Sequence, residues 1–267
     1  MFTKLFNKLK REKYFFKKCI NNSVKSFHPG EINYHLEIGR FGGFNVAYRT
    51  GTADVSVIEH SFENDIIFAC IPEYKPKPDH TIIDIGAHIG TFALLAARKV
   101  PNGKVYAIEA NGETFNYLYI NKHLNYLDNL ITHHLALSSN ANGSITLYHA
   151  EGNWGDSITR KHFFATEMEK VTTTNLAQFM ENNTINSCDL IKLNCEGAEF
   201  QIILTTPIYI LKRIKSMLVF FHLDLIKGYD LEQINNYLIS AGFKTRVHFK
   251  VKAGGKSKHR GWVVATK

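Results

Sequence analysis

Asp84, Gly86, Gly90 and Glu109 are the residues of this 267-residue chain whose types and spacing point most directly to chemistry. Asp84 closes a β-branched, apolar run inside TIIDIGAHIG (Thr81–Gly90), and the helical-looking TFALLAARKV follows the second glycine. A strand, a tight glycine turn and a helix start bring a ligand against bare backbone at the carboxyl edge of a parallel sheet. Nineteen residues beyond Gly90, the short strand Lys104–Ile108 delivers Glu109, where a carboxylate accepts both hydroxyls of a ribose. Dinucleotide folds place G-x-G-x-x-G at such a turn to seat a pyrophosphate on the helix N-terminus. Here the turn is G-x-x-x-G with an Asp ahead of it, which suits a cationic amino-acid group and disfavours phosphate. S-adenosyl-L-methionine has that amino group and a ribose.

The elements around the turn alternate. Glu113–His123 has helical spacing, Leu130–Leu137 is strand-like, and Asp189–Leu193 is a buried-strand pattern followed by a helix over Gly197–Leu204. Ile214–Phe221 is another strand, Leu231–Ala241 an amphipathic helix, and Gly242 its stop. Phe243–Phe249 and Gly261–Ala265 form a hairpin across a short Gly-rich loop. Strands and helices in alternation, closed by a hairpin, describe a doubly wound, mostly parallel α/β sheet with one antiparallel strand. The expected organisation is a basic N-terminal helix over 1–27, a cap segment over 28–78 and the main domain over 79–267.

Net charge of +8 is informative once located. Met1–Phe27 carries eight Lys/Arg against Glu12 alone, Lys244–Lys267 carries eight more and no acid, and the stretch between is net acidic. A uniform nucleic-acid-binding surface is therefore not implied. Phe2, Leu5, Phe6, Leu9, Phe16 and Ile20 recur at helical spacing among the N-terminal lysines. That pattern fits either a helix lying on an anionic membrane surface or one packing on the domain. Cys19, Cys70, Cys188 and Cys195 are scattered without C-x-x-C pairing, so neither a zinc site nor a disulfide framework is expected. With no apolar run near the ~20 residues of a membrane span and no secretory leader pattern, the expected location is cytoplasmic, with peripheral contact at the inner membrane face open.

Six segments occur in order: NVAYRTGTADVSVIEHSF (Asn45–Phe62), Glu73-Tyr74, DIGAHIG, IEAN, GNW, and DLIKLNCEGAE (Asp189–Glu199). Together they resemble the FkbM family of S-adenosylmethionine-dependent methyltransferases, from about Asn45 to His222. The resemblance implies a class I methyltransferase: a Rossmann-like, seven-stranded sheet with a C-terminal antiparallel hairpin and an N-terminal extension. Two positions depart from the family pattern. Asn194 stands where the family has Asp, and Phe220 precedes His222 where the family often carries Glu. With two oxygen ligands missing, no metal is expected, although Glu196, Glu199 and Asp224 remain as carboxylates.

By this resemblance Asp84, Gly86 and Ala87 hold the methionine end, with His88 beside them and Gly90 letting the next helix pack close. Glu109 takes the ribose, Ala110 and Asn111 adjoin it, and Ala136 and Leu137 flank the adenine. Plainer roles stand beside these: Asp84 capping the helix near Thr91, and Glu109 as a surface strand-end charge. The sulfonium methyl is already electrophilic, so the enzyme aligns an acceptor and removes its proton. Glu196 or His222 is the expected base, Asn194 orients substrate or cofactor, and Glu199 contacts substrate. Alternatively, Glu196 and Glu199 bond backbone amides at the following helix's N-terminus.

Trp154, within Gly152–Asp156, is either a sugar platform or a loop anchor. If Phe243–Phe249 is parallel to its neighbours, Lys256, Lys258 and Arg260 rim the ligand edge and favour an acidic or phosphorylated acceptor; otherwise they form a solvated tip. Three function classes follow: O-methylation of a hydroxyl on a sugar, glycan or small molecule; nucleic-acid methylation; and partner binding without turnover. The second lacks the Asn-Pro-Pro-aromatic block of base amino-methylation, and the third leaves an intact cofactor turn without use. A melting shift with S-adenosylmethionine separates the third class, and acceptor screening separates the first two.

Overall fold

The computed structural model describes residues 36–63, 66–148, 168–252 and 255–267. A strand pair opens it, β1 (Leu36–Phe41) and β2 (Phe44–Arg49), antiparallel and separate from the main sheet. Helix α1 (Ala53–Ile58) starts on Thr52, whose side chain accepts from the Asp54 amide; a π-helical turn, Glu59–Glu63, and α2 (Ile66–Cys70) follow. These elements fall in the cap segment expected over 28–78.

The main sheet is built from β3 (Thr81–Ile85), β4 (Lys104–Glu109), β5 (Leu130–His134), β9 (Leu190–Leu193), β10 (Ser216–His222), β11 (Lys244–Lys252) and β12 (Gly255–Thr266). Its order is β11-β12-β10-β9-β3-β4-β5, seven strands among the described residues. Pairing is parallel from β10 through β5, and β12 is antiparallel to both β10 and β11, so β11 runs with the parallel set. Apolar strands such as TIIDI and LIKL are buried on both faces, as a doubly covered parallel sheet requires.

Helices cover both faces. α3 (Thr91–Lys99) and α4 (Gly112–Leu124) pack on one, joined there by Phe44, Val46, Ile58 and Phe68 of the segment before β3. On the other lie α5 (Leu176–Asn182), α6 (Glu199–Thr205), α7 (Ile208–Leu211) and α8 (Leu231–Ser240). The N-terminal cap explains why α3 is apolar nearly all round: Thr91 to Ala97 are all buried, with Phe92 against Phe68 and Thr91 hydrogen-bonded to Ser61 of the cap.

Three expectations change. The strand-like run Leu130–Leu137 breaks at Leu135, and β6 (Ala136–Leu137) joins a second sheet with β7 (Gly143–Tyr148) and β8 (Met168–Thr174), in the order β6-β8-β7. The Gly-rich loop expected between Phe249 and Gly261 is β-strand from Gly255 on; its polar residues hide a ladder that continues past the apolar sheet. The helix placed at Gly197 begins at Glu199, because Glu196 (φ 48°) and Gly197 (φ 105°) are left-handed. The basic segment 1–27 and Trp154 lie outside the described residues. Cys70, Cys188 and Cys195 are free, and no helix among the described residues is long and apolar enough to cross a membrane.

Candidate active site

A cavity of about 660 Å³ runs along the carboxyl edge of the sheet, from β4 and β5 across β3 and β9 to β10 and β12. Of the residues singled out in the sequence, Gly86, Ala87, His88, Glu109, Ala110, Ala136, Leu137, Asn194, Glu196, His222 and Arg260 line it. Asp84, Gly90, Asn111 and Glu199 stand behind the wall. The side chains of Lys256 and Lys258, like Trp154, lie outside the described residues.

At the β4 end, Glu109 is locked by backbone. Its Oε2 accepts from the His88 amide at 2.7 Å and its Oε1 from the Asn111 amide at 2.9 Å. Asn111 in turn caps α4, its Oδ1 accepting from Thr114 N at 2.8 Å. Each carboxylate oxygen has a second lone pair, so two ribose hydroxyls are within its capacity. Ala110, Ala136 and Leu137 supply an apolar slot beside it.

The glycines do different work. Gly86 has φ 74°, and a Cβ there would sit 2.0 Å from the Asn194 carbonyl oxygen, so β3 and β9 approach through bare backbone. Gly86→Ala is therefore expected to lower stability by roughly 2–4 kcal/mol, since it combines a left-handed backbone with a backbone clash. Urea unfolding measures this, and a loss below about 1 kcal/mol would contradict the close approach. Gly90, at φ 90°, starts α3 without a side-chain cap; a Cβ would meet Leu118 Cδ1 at 2.5 Å, so it does admit α3 against α4.

Asp84 corrects an expectation. It neither faces the cavity nor caps α3. β3 and β9 pair in a register that sets Asp84 directly opposite Lys192, and Lys192 Nζ lies 2.8 Å from Asp84 Oδ1 and donates to Gly86 O at 2.7 Å. Burial pushes the Asp84 carboxyl upward and Lys192 opposes it. The pair braces the glycine turn from below, and Lys192, not Asp84, reaches the cavity. A lone Lys inside the buried strand LIKL was the available signal.

The cap holds the turn from above. Arg49 and Asp54 of YRTGTAD are both fully buried; Arg49 Nε donates to Asp54 Oδ2 at 2.8 Å and Nη2 to Oδ1 at 2.9 Å. The same guanidinium reaches α4 through Thr114 Oγ1 at 3.1 Å and Glu113 Oε2 at 3.3 Å, and lies 4.7 Å from the Tyr117 ring centre. Asp54 Oδ1 is 3.5 Å from His88 Nε2, and His88 takes the left-handed φ of 55°. Asn121 donates to Ala47 O and Ile89 O, joining β2 to the turn. Neither Arg49, Asp54 nor Asn121 shows its role in sequence, because all three act across elements.

The far end carries the acid–base groups. Glu199 is fully buried and does not contact the cavity, so the substrate contact expected of it is replaced by a supporting role. It accepts from Cys195 N at 2.7 Å and Gly197 N at 2.9 Å, the helix-start bonding weighed as its alternative, and its Oε1 lies 3.1 Å from His222 Nδ1. A carboxylate that accepts two amide protons favours the hydrogen on Nδ1, so in the neutral ring Nε2 keeps the lone pair. Nε2 points to Glu196, whose Oε1 is 3.6 Å away, beyond hydrogen-bond length. Burial works against charge on His222, but Glu199 and Glu196 outweigh it and its pKa is raised. Burial likewise raises Glu196, with His222 opposing. Arg260 is gripped by Asp224, Nε to Oδ2 at 2.9 Å and Nη2 to Oδ2 at 2.8 Å. Its charge is therefore balanced at the rim. Among the described residues no three His, Cys, Asp or Glu are arranged to hold a metal ion.

The sheet order, the turn after β3 and the carboxylate ending β4 define a class I methyltransferase fold. The chain belongs to the FkbM methyltransferase family: the pattern described as "Methyltransferase FkbM domain" matches residues 84–245. A curated relative, Methyltransferase 1 of Beauveria bassiana, is 28% identical over 150 residues, covering 49% of this chain and 60% of that protein. The match thus spans less than two thirds of the relative's length. Among solved structures, methyltransferase FkbM from Methylobacillus flagellatus superposes with a TM-score of 0.50 at 11% identity, over 73% of this chain and 45% of the other. M. jannaschii TYW2 in complex with AdoMet gives 0.47 at 17% identity, over 90% and 88%.

Proposed function

We propose that this chain transfers a methyl group from S-adenosylmethionine to a hydroxyl of a neutral sugar or glycan. The observation that carries the reading is the Glu199–His222 dyad opening into the same cavity that holds Glu109 at its other end. Three strand spacings, about 14 Å, separate β4 from β10. That interval takes a ribose, a sulfonium centre and an acceptor oxygen in line. The residues present fit the cofactor: Glu109 for the ribose, the Ala110–Leu137 slot for the adenine, and the Gly86–Ala87 backbone with Asn194 for the methionine end. When bound, the cofactor supplies an electrophilic methyl on a sulfonium.

The chain's own residues do the rest. Glu199 fixes the His222 ring so that Nε2 faces the acceptor. His222 Nε2 would take the proton of the acceptor hydroxyl as that oxygen receives the methyl group the cofactor would supply. Glu196 and Glu199 stabilise the imidazolium that results. An alcohol needs such a base, which favours a hydroxyl acceptor. Among the described residues the rim cation Arg260 is already paired with Asp224, which supports a neutral acceptor.

Calorimetry with Glu109→Ala tests the cofactor half. Removing charge-assisted bonds to two hydroxyls is expected to weaken S-adenosylmethionine about tenfold to a hundredfold, roughly 1.5–3 kcal/mol. Unchanged affinity would sink the ribose assignment. Transfer of labelled methyl to a panel of neutral glycosides, lost with Glu109→Ala, tests the other half.

A further inference from the structure

Lys192 is a cation inside an otherwise apolar strand. Its neighbours Ile191 and Leu193 in β9 are fully buried, and Lys192 itself is only 4% exposed, yet it lines the cavity. Burying an ammonium is costly unless partners replace its water. Its Nζ has two, Asp84 Oδ1 at 2.8 Å and Gly86 O at 2.7 Å. An ammonium carries three hydrogens, and among the described residues none accepts the third.

The two members of the ion pair are not equally placed. Asp84 is fully buried behind the wall, whereas Lys192 is part of the wall. Neither Asp84 oxygen receives a well-aligned hydrogen bond, so the carboxylate acts on Lys192 as a charge. The pair therefore presents its positive end to the cavity. Strand register fixes where. Lys192 lies opposite Asp84 on β3 and opposite Leu218 on β10, four residues short of His222, or about 13 Å along the strand. Its ammonium is tied to the first glycine of the turn, which sets it at the methionine end and leaves the acceptor floor to Glu196 and His222.

S-adenosylmethionine carries an ammonium and a carboxylate on one carbon at that end. An Asp in the wall would attract the first; a Lys attracts the second and repels the first. Resting on the cofactor reading above, we infer that Lys192 donates its third hydrogen to the methionine carboxylate. The cofactor's ammonium is held away from Lys192, which fixes which way round the amino-acid end lies. Lys192 binds and orients; it takes no part in proton transfer.

Calorimetry of the full chain with S-adenosylmethionine and with its decarboxylated form isolates the carboxylate, because the second ligand keeps the sulfonium, ribose, adenine and ammonium. The unaltered protein is expected to bind the carboxylated ligand about tenfold or more tighter. Lys192→Gln, which can still donate to Gly86 O, is expected to bring that ratio toward one by weakening S-adenosylmethionine more than the decarboxylated form. The double variant Asp84→Asn, Lys192→Gln leaves no unpaired charge buried, and the same ratio is expected of it, so a collapsed turn is not mistaken for a lost carboxylate contact. A Lys192 that only braces the turn would weaken both ligands by one factor and leave the ratio unchanged. That result in both variants overturns the inference, as does equal binding of the two ligands by the unaltered protein; either leaves the Glu109 ribose assignment standing. If the unaltered protein binds neither ligand, the cofactor reading falls and the inference with it.

Discussion

Replacing His222 with Ala is expected to lower kcat by about 10²- to 10⁴-fold while S-adenosylmethionine affinity stays near that of the unaltered protein. The expectation rests on one ring. Its Nδ1 is tied to a fully buried carboxylate, and its Nε2 opens toward the cavity beside Glu196. The pH dependence carries a definite sign. The base acts as neutral imidazole, and the folded-state pKa of His222 is raised above the ordinary 6.5. Turnover is therefore full above that raised value and falls as pH drops through it, so the acid limb lies above the usual imidazole midpoint. Glu199→Gln removes the charge that holds the proton, which moves the limb to lower pH and loosens the ring. A purely structural His222 would give neither the shifted limb nor a kcat loss at constant cofactor affinity. Wild-type kcat in His222→Ala would overturn the assignment.

The second large effect is on stability. Arg49→Met leaves Asp54 fully buried and Glu113 nearby without their shared cation, at a cost of about 3–5 kcal/mol. In a chain of this size that corresponds to a melting temperature lower by roughly 6–20 °C. The double variant Arg49→Met, Asp54→Leu is expected to recover part of the loss, because removing both charges also removes their desolvation. S-adenosylmethionine affinity should fall in the single variant, since Asp54 lies beside His88, whose amide bonds Glu109. Calorimetric melting of the three proteins decides it. A single-variant loss below 1 kcal/mol would show that the pair does not brace the cap.

Much of the site was legible because it depends on neighbours in sequence. The glycine turn after Thr81–Ile85 and the carboxylate ending Lys104–Glu109 are each local, a strand end and its turn, and their spacing is set by one intervening helix. EGAE placed two carboxylates three residues apart at the start of α6. It did not show which faces the cavity. Left-handed backbone at Glu196 and Gly197 turns Glu196 outward, while Glu199 folds back onto two amides and meets His222 from a strand twenty-three residues on.

Other features needed the assembled fold. Leu130–Leu137 has one continuous apolar pattern, yet β6 leaves the main sheet because β8, which begins at Met168, offers it a parallel edge. The polar run before Gly261 carries no apolar alternation, so nothing local marks it as strand; only pairing with β11 makes it one.

The sequence by itself determined the fold class, the turn and the carboxylate that ends β4, because strand periodicity and glycine backbone freedom act within a few residues. Tertiary structure decided the roles of charge. Asp84 meets Lys192 through strand register, Arg260 meets Asp224 at the end of the antiparallel β10–β12 pair, and Arg49 joins the cap to α4. A carboxylate or cation takes its function from the partner brought to it, and those partners lie up to about a hundred residues away in the chain.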